Sequence, residues 1–312
     1  MAEPSGLGDY IYVRPIFKII KNSNKYGTCK CILIGTSRWK DFAIDVDGEF
    51  CDGFVWLDNP YKPRMYETLA LKFFVFDYFV NFRHYEGRHY WERLQKIVKA
   101  KKLFHTTSYD NESKIYGYYE ARFFNMISKM FDECHYDEKW FQWSPDYSLI
   151  SSRKIFIPDS HYIVVHCVGY SQGVMLEKQI KAVLNAVNLF ENETKKNLKV
   201  IFIGSTSDEK KLGYLFSKNN SNIINACGMY RISELSLLLK KADAFVAIDS
   251  GISHMAVTLG IPLLILGSRR PDLPTPLHFS KGIMYLIDDY KVQNIDALVI
   301  KNAVHKLLLK TV

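Results

Sequence analysis

Three short clusters place a carboxylate beside glycines or hydroxyls at the start of a helical pattern. The first is Asp249-Ser250-Gly251-Ile252-Ser253-His254, directly after the apolar run AFVAI. A strand end, a small-residue turn and a helix N-terminus form an anion site, because free backbone N–H groups and the helix dipole both favour negative charge. The N–H groups of Ser250 and Gly251 could hold a diphosphate, and His254, one turn in, could add a hydrogen bond. The plainer reading is a capping turn with a core histidine. The second cluster, Gly204-Ser205-Thr206-Ser207-Asp208-Glu209, follows the run KVIFI. Asp208, or Glu209 beside it, could accept a ribose hydroxyl, as acidic residues do in other nucleotide folds. An ordinary helix start explains it equally well.

The third cluster is Gly6-Leu7-Gly8-Asp9, ahead of a helical pattern that contains Pro15. Asp9 could cap free N–H groups or, facing an interdomain cleft, act as a general base. Pro15 lacks an N–H, so it must kink that helix or mark its true start. Asp45-Val46-Asp47 looks like a short metal-binding triplet, but such triplets arise by chance and Gly48 suggests a turn. No P-loop, GxSxG elbow or HExxH helix is present. The aromatic residues near 116–124 read as core.

The elements that must position these clusters read most clearly in the second half. Apolar runs at 161–167, 199–203, 222–224, 244–248, 262–266 and 283–287 predict strands. Helical spacing covers 177–190, 208–218, 233–241, 253–259 and 292–309. Strands alternating with helices imply βαβ units and a parallel sheet. Continuous apolar runs fit strands buried on both faces. In the first half, 10–20 reads as a helix, and 31–34 and 54–57 as strands. Residues 87–101 and 118–131 read as helices, while the aromatic run 73–82 is ambiguous. Residues 132–158 lack a period and mark the boundary between a domain at 1–150 and one at 151–312. The last helix could pack back on the first domain.

A chain of 312 residues suits two domains of roughly 150 residues. The net charge is +8, and residues 1–150 carry 21 basic against 20 acidic side chains, leaving +7 for the second half. That excess is either solvated helix faces or a surface for anions such as phosphate. No Arg-rich arm points to nucleic acid. The six cysteines lack zinc spacing and read as reduced core residues of a cytosolic protein. No signal-peptide core and no apolar run of membrane-spanning length is visible.

Taken in order, LGDYIYVRPIFKII, KVIFIGSTSDEK and ADAFVAIDSGISHMAVTLGIPLLILG resemble glycosyltransferase family 9, the family of the lipopolysaccharide heptosyltransferases. The DSGxxH stretch followed by Gly-Ile-Pro is the most specific part. The resemblance implies an α/β, GT-B architecture of two Rossmann-like domains facing across a cleft. It implies an inverting transfer of a heptose or related sugar from a nucleotide-diphosphate-sugar to a hydroxyl of a surface-glycan precursor. No metal and no cofactor beyond the donor is implied. Asp9 would be the base. Asp249, Ser250, Gly251 and His254 would contact the donor, with Asp208, Glu209, Tyr230 and Arg231 nearby. Gly8, Arg14, Lys18, Arg269 and Arg270 are further candidates for phosphate or acceptor contacts. A glycan or glycolipid acceptor would draw the protein to the inner membrane face.

Three departures from the family pattern stand out. Only Met1–Gly8 precede Asp9, where the family has a strand, and MAEPS does not read as one. Loop 168–173 lacks the family's Lys or Arg, which Arg231, Arg269 or Arg270 could replace. The turn after LLILG reads Ser268-Arg269-Arg270-Pro271, either an anion reader or a solvated turn. These departures keep open a binding or regulatory module that holds a nucleotide-sugar without turnover. A sugar-nucleotide epimerase of the same shape is a further alternative.

Overall fold

The computed structural model describes residues 2–3, 6–58, 64–81, 94, 96–105, 143–146, 155–169, 173–216, 221–268, 283–288 and 291–311. The chain divides into two compact units, Met1–Phe141 and Gln142–Val312. The expected helix at 118–131, the aromatic residues near 116–124, Cys134, Arg269 and Arg270 lie outside the described residues.

The first unit holds a five-stranded sheet: β1 (Ala2–Glu3), β2 (Ile32–Thr36), β3 (Gly53–Leu57), β4 (Val75–Asn81) and β5 (Lys99–His105). All pairings are parallel, in the spatial order β3-β2-β1-β4-β5. This is the strand order of a doubly wound nucleotide-binding sheet. Among the described residues, four helices accompany it: α1 (Leu7–Val13), α2 (Pro15–Asn22), α3 (Lys40–Asp47) and α4 (Met65–Thr68). Ile34, Leu57, Leu71, Phe79, Leu94 and Val98 form one buried cluster. Tyr10 stacks on Trp39 with ring centres 4.1 Å apart.

Several readings of this unit need correction. The N-terminal segment does contribute a strand. Ala2 and Glu3 pair with Ile34 and Gly35 of β2, and Ala2 also pairs with Asn81 of β4. Two residues carry no hydrophobic period, so backbone pairing alone defines this element. The single helix read at 10–20 is two, because Pro15 opens α2 at its first position. Lys99–Lys101, read as the end of a helix, begin β5. Lys and Ala favour helices, but the ladder from Val75↔Lys99 to Asn81↔His105 overrides that preference. The ambiguous run at 73–82 supplies β4, in keeping with its aromatic and β-branched content. Asp45–Asp47 lie in the last turn of α3 rather than in a turn. Cys29, Cys31 and Cys51 are only partly buried, unlike Cys167 and Cys227 in the second unit.

The second unit holds a six-stranded parallel sheet. Its strands are β6 (Tyr162–His166), β9 (Lys199–Ile203), β10 (Ile223–Asn225), β11 (Ala244–Ile248), β12 (Leu263–Ser268) and β13 (Ile283–Asp288). Their spatial order is β10-β9-β6-β11-β12-β13. A short antiparallel pair, β7 (Val168–Gly169) with β8 (Gly173–Val174), forms the loop after β6. Every residue of β6 and of β11 is buried. This matches their continuous apolar sequence, since both faces of the sheet are covered.

The helices here are α5 (Glu177–Thr194), α6 (Thr206–Phe216), α7 (Ile232–Lys240), α8 (Gly251–Leu259) and α9 (Ala297–Leu309). Helix α5 presents Ile180, Val183, Ala186 and Val187 to the core, where α9 adds Ile300, Val304, Leu307 and Leu308. Fully buried Gln179 on α5 donates to the carbonyls of Val292 (2.9 Å) and Ile295 (2.8 Å), just before α9. These bonds tie α5 to the short 3-10 turn Val292–Asn294 and to Ile295, which leads into α9. Among the described residues, no helix is long and apolar enough to cross a membrane.

Candidate functional site

Numbered within the second unit, its strands run 3-2-1-4-5-6, so the order reverses between β6 and β11. At such a switch point the loops after the two strands diverge, and ligands bind outside their carboxyl ends. β6 ends at His166, which pairs with Ala247 of β11. β11 leads directly into Asp249 and Ser250. The first cluster therefore stands at the reversal point itself.

Ser250 is the N-cap of α8. Its Oγ accepts from the Ser253 N–H at 3.4 Å, and its own N–H donates to Ser253 Oγ at 2.9 Å. This reciprocal cap fixes the first turn and leaves the Gly251 N–H at the positive end of the helix. On the other side, the Ser250 hydroxyl lies 3.3 Å from His166 Nδ1. His166 is 8% exposed. Burial pushes its pKa down to about 4, with the negative charge of Asp208 pulling weakly the other way. His166 is therefore a neutral imidazole at pH 7, able to donate from one nitrogen and accept at the other. Sequence reading missed it, because a histidine inside an apolar strand passes for core. Its position as the last residue of the unit's first strand was the available signal.

Asp249 follows β11, and its N–H bonds the Leu266 carbonyl at 2.9 Å. Its Oδ1 lies 3.3 Å from His254 Nε2, ion-pair distance without the alignment of a hydrogen bond. That oxygen is buried and lacks a hydrogen-bond donor among the described residues. A buried carboxylate oxygen without a donor is costly, and a ligand hydroxyl would satisfy it.

Asp208 sits in the first turn of α6 and locks its own loop. Its Oδ2 accepts from the Ser205 N–H (2.8 Å) and hydroxyl (2.7 Å), and its Oδ1 from Lys211 (3.2 Å). Burial alone would raise this carboxyl, but the bonds from Ser205 and Lys211 outweigh it and hold the pKa below the usual range. A Cβ at Gly204 would stand 3.0 Å from Asp208 Cβ, so glycine lets the carboxylate fold back. Glu209 accepts from Asn225 Nδ2 at 2.9 Å. Gly228, at φ +72°, brings its N–H to the Gly204 carbonyl at 2.8 Å. Tyr230 donates to the Phe156 carbonyl, and Arg231 caps α7 through its N–H to Glu234 at 2.8 Å.

In the first unit, Asp9 is the third residue of α1 and accepts from the Gly6 N–H at 3.0 Å. The capping geometry is thus present, and the carboxylate lies at the helix N-terminus beside Gly8. Arg14, a candidate for phosphate or acceptor, is committed elsewhere. Its Nε and Nη2 reach Asp47 Oδ2 and Oδ1 at 2.7 and 2.9 Å, and the Tyr10 hydroxyl donates to the same Oδ2 at 2.7 Å. All three residues are buried. Burial disfavours the Arg14 charge, but Asp47 more than restores it. Burial and the Asp47 charge together push the Tyr10 phenol well above its ordinary value. Sequence reading took Arg14 for an anion contact because a basic residue near a Gly-Asp turn gives no sign of its buried partner 33 positions away. Lys18 on α2 is half-buried. Among the described residues, no group of three or more His, Cys, Asp or Glu could hold a metal ion.

The model of glycosyltransferase family 9 (heptosyltransferase) matches residues 187–298. Lipopolysaccharide heptosyltransferase 2 of Escherichia coli K12 is 31% identical over 104 residues, 31% of this chain and 30% of that protein. The sequence match thus spans about a third of the curated relative. The structure of the E. coli ADP-heptose lipopolysaccharide heptosyltransferase II covers 99% of this chain and 98% of its own, with a TM-score of 0.69 at 12% identity. E. coli heptosyltransferase WaaC, solved with ADP, covers 100% and 98%, with a TM-score of 0.70 at 11% identity. The two Rossmann-like units are thus those of the GT-B architecture, and over residues 187–298 the chain is similar to the heptosyltransferases of glycosyltransferase family 9.

Proposed function

We propose that this chain is an inverting glycosyltransferase that moves a heptose or related sugar from a nucleotide-diphosphate-sugar to a hydroxyl of a lipopolysaccharide core precursor. The observation that carries the reading is the Asp249-Ser250-Gly251-His254 cluster at the strand-order reversal of the second unit, within the family match. ADP in the similar WaaC structure supports an adenine nucleotide as the donor's leaving group. In this reading the Gly251 N–H and the α8 dipole hold the diphosphate. His254 and neutral His166 donate to its oxygens. Asp249 accepts a donor hydroxyl through its unsatisfied oxygen.

Asp9 serves as general base. It takes the proton of the acceptor hydroxyl as that oxygen attacks the anomeric carbon, and the diphosphate departs from the opposite face. The glycolipid acceptor brings the protein to the cytoplasmic face of the inner membrane. The chemistry needs no metal, and turnover in EDTA is expected to be undiminished.

Calorimetry with ADP, GDP, UDP and CMP tests the donor site, with Asp249→Ala as the control. Clear binding of ADP, lost in the control, is the expected result. Binding of none of the four would overturn the reading.

A further inference from the structure

In the second unit the first strand does not lead straight into a helix. After His166 the chain makes the β7–β8 hairpin, and α5 begins only at Glu177. The first turn of α5 carries Glu177 itself, paired with Lys181 at 2.6 Å, and that carboxylate disfavours an anion there. The helix start suited to an anion belongs to α8, on the other side of the strand-order reversal. On the β6 side of the reversal lies the hairpin, which opens two residues after His166.

Strands of two residues do not hold a hairpin in place by themselves. Val168 pairs with Val174 and Gly169 with Gly173, and the Met175 N–H closes the base on the Cys167 carbonyl at 2.9 Å. A further bond comes from 119 positions along the chain, where the Gln293 side-chain amide donates to the Val174 carbonyl at 2.9 Å. Gly173 has φ +88°, and an added Cβ would stand 2.5 Å from the Gln293 amide nitrogen. The glycine is thus required twice, for its left-handed backbone and for the room it leaves the amide. Gln293 is itself held. It lies in the turn Val292–Asn294, beyond the carboxyl end of β13, and Gln179 bonds the carbonyls of Val292 and Ile295 on either side of it. The Gln179 carbonyl oxygen accepts the Leu176 N–H at 2.9 Å. The two glutamines so close a circuit from the hairpin to the start of α5, to the turn, and back to the hairpin. Gln179 joins α5 to the turn; Gln293 gives its amide to the hairpin.

We propose that Gln293 is a positioning residue for the donor site: through its bond to Val174 and its fit against Gly173 it sets the hairpin beside the anion-binding start of α8. This rests on the transferase reading above. A hairpin held in one orientation meets the nucleotide without reordering when it binds. A released hairpin samples other orientations, and the ligand must bear the cost of ordering it. Affinity then falls while the sheet stays intact.

ADP calorimetry on the full chain tests this, with Tm read in parallel. Gln293→Glu keeps the shape of the side chain and turns its donor into an acceptor facing the Val174 carbonyl. At pH 7.5 it is expected to weaken ADP binding by about tenfold or more. At pH 5 the introduced carboxyl takes up a proton and can donate as the amide did, so the gap to the parent chain should narrow. Lys240→Ala removes a bond of the same kind at the far end of α8, from Lys240 Nζ to the Leu259 carbonyl at 2.9 Å. It should lower Tm and leave ADP affinity unchanged. Gly173→Ala should weaken ADP binding too. Combined with Gln293→Ala, it should cost no more than the larger of the two single losses, since both act on one hairpin. Unchanged ADP affinity in Gln293→Glu would overturn the proposal. So would an equal loss in Lys240→Ala, or additive losses in the Gly173→Ala and Gln293→Ala pair. A parent chain that binds no nucleotide would sink the transferase reading and this proposal with it. A parent that binds ADP, with Gln293→Glu binding it equally well, would sink the proposal alone.

Discussion

The His166 imidazole and the Ser250 hydroxyl meet at 3.3 Å across the two strands between which the order of the second sheet reverses. One is the last residue of β6 and the other the cap of α8. Any ligand held at this point touches both elements, so its binding and the stability of the reversal are physically linked.

That link has a pH signature. The His166 pKa falls to about 4 in the folded protein, from an ordinary value of 6.5. The unfolded chain then binds the extra proton between these values. Stability from this group is complete above about pH 6.5 and is lost as the pH falls toward 4, by about 3 kcal/mol in all. The lowered Asp208 pKa acts in the same direction but only in more acidic solution, below the ordinary carboxylate value of 3.8. Urea unfolding at pH 7 and pH 5 should show the loss in the parent chain and a flattened dependence in His166→Gln. Equal pH dependence in both would rule out His166 as the origin.

The buried Arg14–Asp47 pair can be tested by breaking it and by replacing it whole. Asp47→Ala leaves an uncompensated guanidinium in the core and should cost about 3–5 kcal/mol. Replacing both partners by apolar residues, as in Arg14→Met with Asp47→Leu, should cost less than Asp47→Ala alone. Chemical denaturation of the parent chain and of these two variants supplies the comparison.

Asp9→Asn keeps the shape and removes the base. Transfer should fall by about 100- to 10,000-fold while ADP affinity is unchanged. A wild-type rate in this variant would remove Asp9 from the chemistry.

Gly228 combines a left-handed backbone with close quarters. Its φ is +72°, and an added Cβ would stand 2.5 Å from Thr206 Oγ1. Gly228→Ala should lower stability by about 1–3 kcal/mol and loosen the turn that holds Asp208. Thermal unfolding together with ADP titration would reveal both effects.

The second unit was readable from sequence because its strands are continuous apolar runs separated by glycines and hydroxyl residues. KVIFI and AFVAI match β9 and β11 to the residue. The helix start at Ser250-Gly251 was readable for the same reason: small capping residues announce themselves locally. What escaped depends on partners far along the chain. β1 exists only through its neighbours. β5 is lysine-rich because its exposed positions tolerate charge, which disguised it as a helix. Arg14 looked like an anion contact until Asp47 was placed beside it. His166 matters through the sheet order, which no local window contains.

The Gln179 amide bonds carry a consequence for how this protein is made. They join residues 113 and 116 positions apart. On the ribosome, α5 emerges long before the carbonyls of Val292 and Ile295 exist. Its apolar face waits for α9, with Ile180, Val183 and Val187 uncovered in the nascent chain. Closure of this unit is therefore a late, non-local event, slow by its topology. The interval before it is when the chain is most open to aggregation and most in need of a chaperone.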